Sequence, residues 1–221
     1  MGAEMSSTEM GILDAARRAF ARAGFHGARM QEIADQAGIN KAMLHYYFRS
    51  KEALFERVFN EAYSEFLPKT HAILTGPGSA LDKIEQYVHE HLQLLLRRPD
   101  IPMFVLTEVH QDPDRFFKIF LSKMPGPPPF LGFIKQLETE MEAGTLRKSD
   151  PRDLWYSVMA LVVFPFIARP MLEKLTVATP EQYNAILQNR KHTISQLLRH
   201  GIGKKTLVTN EGAMASPHHS L

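Results

Sequence analysis

Apolar residues recur three and four positions apart over most of the chain, and no stretch of useful length alternates with period two. The pattern therefore predicts an all-α fold. Ser6 followed by Glu9 has capping-box spacing. Ile12, Leu13, Ala16, Phe20 and Ala23 then mark one face of a first helix that Gly24 closes, with Gly27 in the loop beyond. Met30, Ile33, Ala34 and Ala37 form a short second stripe ended by Gly38. Asn40 is an N-cap for a third helix with Leu44 and Phe48 inward. Ser50 caps a fourth, carrying Leu54, Phe55, Val58, Phe59 and Ala62, with Pro68 just past its end.

Gly76-Pro77-Gly78 is the clearest punctuation, and helices are predicted after it at about 79–98, 103–111 and 116–124. The run Pro125-Gly126-Pro127-Pro128-Pro129 forces a stiff, extended break. Further helices are predicted at 130–143, 153–175 and 180–200, with a kink at Pro165, which removes one backbone hydrogen bond. Residues 1–5 read as a disordered lead and residues 202–221 as a flexible tail.

Charge adds a local signal that the formal net charge of +2 conceals. Between Arg17 and Lys51 seven basic residues (Arg17, Arg18, Arg22, Arg29, Lys41, Arg49, Lys51) face two acidic ones, Glu32 and Asp35. A compact excess of that kind can neutralise phosphates, although a solvated helix face reads the same way. Within this stretch, two short helices flanking Gly38-Ile39-Asn40 match a helix-turn-helix. Ala34 is small where the helices cross, Gly38 permits a left-handed turn, and Ile39 plugs the space beneath it. Asn40 caps a helix that begins Lys41-Ala42-Met43, residues small or flexible enough to approach base edges, and continues with the donors His45, Tyr46 and Tyr47. Lys51 stands at the next helix N-terminus, where it and the backbone N–H groups can share a phosphate.

Four spaced blocks then carry a resemblance: Ile12-Leu13-Asp14-Ala15-Ala16, Phe20 to Phe25, Ile33 to Lys41, and Tyr47 to Phe55. Over about residues 6–66 they resemble, in register, the DNA-binding domain of TetR/AcrR-type transcriptional regulators. The resemblance implies a helix-turn-helix domain at 6–66 and a larger helical effector-binding and dimerisation domain at 67–201. It implies a homodimer on a pseudo-palindromic double-stranded DNA operator, and a repressor released by a small, largely hydrophobic effector. By position, Gln31, Lys41, Ala42 and Met43 become candidate base-facing residues, and His45, Tyr46, Tyr47 and Lys51 candidate phosphate or sugar contacts. Two positions depart from the family pattern. Ala28-Arg29 replaces the usual Thr or Ser before the second helix, so Arg29 is the expected phosphate contact there. His45 stands where Tyr is usual, which would add mild pH dependence to binding.

The larger half is rich in methionine and aromatic residues, which line adaptable cavities as readily as they fill cores. Met103, Phe104, His110, Phe116, Phe120, Trp155, Met159 and Phe164 are the candidate effector-binding residues, with Glu108 and Arg169 as further polar groups that could orient a ligand. The last two long helices read as the dimer interface. Val158 to Ile167 is apolar nearly all round, and Tyr183, Ile186, Leu187, Ile194, Leu197 and Leu198 share one face.

Composition narrows the alternatives. The 221-residue chain has no cysteine, which excludes disulfides, thiolate zinc sites and cysteine nucleophiles and agrees with a cytoplasmic protein. No secretory leader is visible. The longest apolar run, Val158 to Ala168, falls short of the ~20 residues of a membrane helix, so no membrane association is expected. His89 and His91 point apart on a helix, His218-His219 lies in the tail, and no phosphate loop or nucleophile elbow is present. The chain is expected to be no enzyme and to hold no metal or cofactor. The competing reading is a helical small-molecule-binding or scaffold protein that has lost DNA binding, against which Lys41, Tyr47 and Lys51 argue.

Overall fold

The computed structural model describes residues 6–203; the lead at 1–5, the tail from 204 on and the His218-His219 pair lie outside the described residues. Twelve helices run through the described residues. The first four are α1 (Ser7–Gly27), α2 (Met30–Gln36), α3 (Lys41–Tyr47) and α4 (Lys51–Tyr63). Then come α5 (Phe66–Thr75), α6 (Ala80–Arg97), α7 (Ile101–Gln111), α8 (Pro113–Ser122) and α9 (Phe130–Glu142). The last are α10 (Pro151–Ile167), α11 (Arg169–Leu175) and α12 (Pro180–Gly201). The only β-type pairing among the described residues is a single bridge between Leu146 and Gly203. It ties Ile202 and Gly203, read from sequence as tail, to the loop after α9, with the Arg147 N–H donating to the Ile202 carbonyl at 2.9 Å.

Capping side chains start these helices where the sequence places them. Ser6, Asn40, Ser50, Ser79 and Thr179 each accept a hydrogen bond from a backbone N–H in the first turn of the helix they precede. Gly24 interrupts α1 at φ 65°, ψ 179°, a region essentially reserved for glycine, and the last turn to Gly27 proceeds in a new direction. Helix α6 runs through the larger half with Ile84, Val88 and Leu95 fully buried, packed on α5, α9, α10 and α12.

Two expectations are corrected. The chain does not leave helical structure after α4: Ser64 and Glu65 turn it into α5, where Pro68 sits in the first turn, the one place its missing N–H goes unmissed. The helix expected over 153–175 is two helices, bent by 77° around Ala168. Pro165 does not break it, whereas Pro170 does, because its ring would collide with the Phe166 carbonyl if α10 continued. Helix α12 repairs what the prolines leave open. The Leu161 carbonyl, deprived of its partner by Pro165, accepts from Arg190 Nε at 2.8 Å, and the Pro165 carbonyl accepts from the Tyr183 hydroxyl at 2.8 Å. Arg190→Met is therefore expected to destabilise the chain by about 1–2 kcal/mol in urea unfolding by stranding that carbonyl. An unchanged midpoint would show that the bond is dispensable.

Candidate nucleic-acid interface and buried cavity

The turn between α2 and α3 is a Schellman closure: Gly38, at φ 70°, donates to the Asp35 carbonyl and Ile39 to the Ala34 carbonyl, both in the last turn of α2. Ala34 is fully buried at the crossing, Ile39 packs against the core, and Leu44 is the inward anchor of α3. Asn40 Oδ1 accepts from the Met43 N–H at 2.8 Å. With Leu44 inward, α3 turns Lys41, Ala42, Met43, His45 and Tyr46 to solvent, Met43 at 44% and Tyr46 at 83% exposure.

Tyr47 differs from its neighbour. Its ring packs on the core and meets Tyr46 edge-on, as the 100° step between adjacent helical residues requires. Arg29 is exposed at the N-cap of α2 and makes no side-chain cap bond there, unlike the Ser or Thr that caps a helix through its hydroxyl. Gln31, exposed two residues on, donates to Asp35 at 2.8 Å, and His45 Nδ1 lies 3.4 Å from the Arg49 carbonyl.

Lys51 is the residue whose setting was not foreseen. Its ammonium turns inward, donating to the Ala28 carbonyl at 3.1 Å and the His26 carbonyl at 3.4 Å, and stands 4.6 Å over the Phe25 ring. Two of its three N–H groups thus hold the end of α1. Of the remaining basic residues, Arg17 pairs with Asp14 and Glu61 and Arg22 with Glu32. Among the described residues no acidic partner is recorded for Arg18, Arg29, Lys41 or Arg49.

In the larger half a cavity of about 430 Å³ opens between α5, α6, α7, α8 and α10, within the size range of small-molecule sites. Phe116, Phe120, Trp155 and Met159 line it. Met103, Phe104, His110 and Phe164 do not, and helical geometry gives the reason. On α7 the cavity takes Ile101, Val105 and Val109, four apart, so Phe104 and Glu108 point the opposite way, and Phe104 packs 5.3 Å from the Phe55 ring. Met103 and His110 face solvent, and Phe164, 51% exposed, sits on the outer face of α10. Arg169 pairs with Glu173 and does not line the cavity either.

Sequence reasoning missed the α5 and α6 wall, including Phe66, Thr70, Tyr87 and His91. The signal was the pair Tyr87 and His91, four apart on the same stripe as Ile84, Val88 and Leu95. The Tyr87 hydroxyl lies 2.9 Å from both His91 Nδ1 and Met159 Sδ. Burial drives the His91 pKa down to about 4, so the imidazole is neutral at physiological pH.

The opposite face of α7 grips α1. Thr107 donates to the Ala21 carbonyl and Gln111 to the Ala23 carbonyl, both at 2.9 Å, and Asp112 lies 3.3 Å from His26. The Glu108 carboxylate, 1% exposed, accepts from the Phe25 N–H and pairs with Arg115 at 3.2 Å. The Arg115 guanidinium lies 3.6 Å from the Phe25 ring centre and 4.2 Å from that of Phe55. Arg115 precedes Phe116 of the cavity wall, so one turn of α8 touches both regions. No group of three or more His, Asp or Glu is placed to hold a metal among the described residues, and no single helix among them is long and apolar enough to cross a membrane.

Comparison with known proteins places these features. Residues 12–58 match the family model described as bacterial regulatory proteins, tetR family. The chain is 28% identical over 211 residues to the HTH-type transcriptional regulator RutR of Escherichia coli strain K12, covering 88% of this chain and 92% of that one. It is 33% identical over 108 residues to the HTH-type transcriptional repressor NicS of Pseudomonas putida, 47% of this chain and 50% of that one. Its fold is similar to that of the transcriptional regulator FadR from Bacillus subtilis, solved in complex with stearoyl-CoA. The TM-score is 0.53 at 19% identity, covering 86% of this chain and 96% of that one.

Proposed function

We propose that the chain is a helix-turn-helix transcriptional regulator of the tetR type, a homodimeric repressor whose α3 helices read an operator and whose cavity holds the releasing effector. One observation carries the reading: α3 is anchored by Leu44, with Tyr47 packing beside it, and turns Lys41, Ala42 and Met43 outward together at its capped N-terminal end. In a helix-turn-helix that end enters the major groove. Lys41, Met43 and Ala42 approach base edges, with Gln31 beside them, and Arg29, His45, Tyr46 and Tyr47 take phosphate or sugar contacts. Lys51 acts mainly as the fastener of the α1 end.

The dimer forms through α10 and α12. Tyr156, Ala160 and Phe164 make one exposed stripe, and Ile186, Thr193 and Leu197 another, the arrangement of a four-helix contact across a two-fold axis. Effector control passes through α7, which has the cavity on one face and its four-point grip on α1 on the other. The aromatic lining of the cavity supports a largely apolar effector.

Selection of duplexes from random DNA, followed by fluorescence anisotropy across a salt series, tests the docking face. Arg29→Ala is expected to weaken binding to every duplex alike and to reduce the salt slope by about one. Lys41→Ala and Met43→Ala are expected to change which duplexes are preferred. If all three variants kept the affinity and preference of the parent, the DNA would dock elsewhere.

A further inference from the structure

Resting on the reading of the cavity as the effector site, we propose that its ligand is an uncharged, mostly apolar molecule whose acceptor oxygen, as in a ketone, ester or alcohol, is received by the Thr70 hydroxyl. Thr70 carries the argument. Its hydroxyl lines the cavity, is 1% exposed, and has no hydrogen-bond partner among the described residues. Buried hydroxyls are rarely left so. A threonine in a helix has an easy remedy in the carbonyl four residues back, and Thr75, Thr139 and Thr176 each use it at 2.7–2.9 Å. Thr70, in the same helix as Thr75, does not. Its donor stays free at the wall of a mostly apolar chamber.

Chemistry around Thr70 fixes the rest. The Tyr87 hydroxyl donates to Met159 Sδ and accepts from the His91 Nδ1–H, the arrangement that satisfies both contacts with one hydroxyl proton. The Thr70 hydroxyl is then the donor that the cavity leaves unused, and it calls for an acceptor on the ligand. No Asp, Glu, Lys or Arg lines the cavity. A carboxylate or ammonium brought inside would lose its hydration and meet no counter-charge. The surroundings are mostly aromatic and aliphatic, with Phe66, Phe120 and Trp155 among them, so the walls suit a ligand with little polar surface.

Trp155 is the only tryptophan of the chain and lines the cavity, so its emission reports occupancy. The probes are 2-decanone, decanoate and decylammonium at neutral pH, titrated against wild type, Thr70→Val and Thr70→Ser. The expected result is saturable change with 2-decanone and binding at least about tenfold weaker for both ions. Thr70→Val should lose about tenfold for the ketone, and Thr70→Ser should retain it. The unliganded Thr70→Val chain should melt no lower than wild type, since the substitution removes an unpaired hydroxyl, and this separates lost recognition from lost folding. If the ions bound as tightly as the ketone, or Thr70→Val kept full affinity, the assignment of the polar group would be overturned while the cavity remained an effector site. If no probe altered Trp155 emission, the effector reading of the cavity would fall together with the proposal.

Discussion

Gly24→Ala is expected to lower the stability of the chain by about 1–3 kcal/mol, because alanine cannot occupy φ 65°, ψ 179° without strain. The new methyl group would also land on the Gln111 side-chain amide. That amide can move, but only by giving up its bond to the Ala23 carbonyl, one of the four ties between α7 and α1. A second substitution in the same helix supplies the contrast. Gly11 has ordinary helical geometry and open space around its Cα, so Gly11→Ala should stabilise by up to about 1 kcal/mol. Calorimetric melting of the pair should therefore give shifts of opposite sign. Equal shifts would mean that the break at Gly24 is not a fixed feature of the fold.

Glu108→Ala should cost about 2–4 kcal/mol, toward the lower end because Arg115 keeps some contact with water. The loss strands the Phe25 N–H and leaves a guanidinium between two rings without its counter-charge. Glu108→Gln retains an acceptor for Phe25 and should cost less. The glutamine variant also isolates a pH effect. Burial pushes the Glu108 carboxyl above the ordinary carboxylate range, against the pull of the Phe25 N–H, Arg115 and His26. The folded chain then holds this proton more tightly than the unfolded chain. Its contribution grows as pH falls from neutrality through the raised value and levels off below the ordinary one. Urea midpoints of wild type minus those of Glu108→Gln should rise as pH is lowered through that window. A difference that fell instead would mean that the ion pair with Arg115 outweighs burial.

The helix-turn-helix was legible because local chemistry dictates it. Gly38 supplies the positive φ, Asn40 the cap, and Leu44 the anchor, and each needs only its near neighbours. The cavity depends on which face of each helix meets which partner, and there the sequence is ambiguous. Phe104 and Val105 look equally apolar, yet one packs against Phe55 and the other lines the chamber. Pro68 reads as a terminator, but it opens α5 and so brings Thr70 to the cavity. Lys51 looks like a surface cation. It becomes a fastener because the chain beyond the break at Gly24 brings the His26 and Ala28 carbonyls to its ammonium.

The central claim, that two copies of α3 read one operator, is tested most directly by anisotropy on a selected duplex, intact and with one half-site scrambled. The account predicts saturation at two chains per intact duplex and a loss of at least about a hundredfold in affinity when one half-site is scrambled, the specificity of one module being forfeited. Equal affinity for both duplexes, or saturation at one chain, would contradict it.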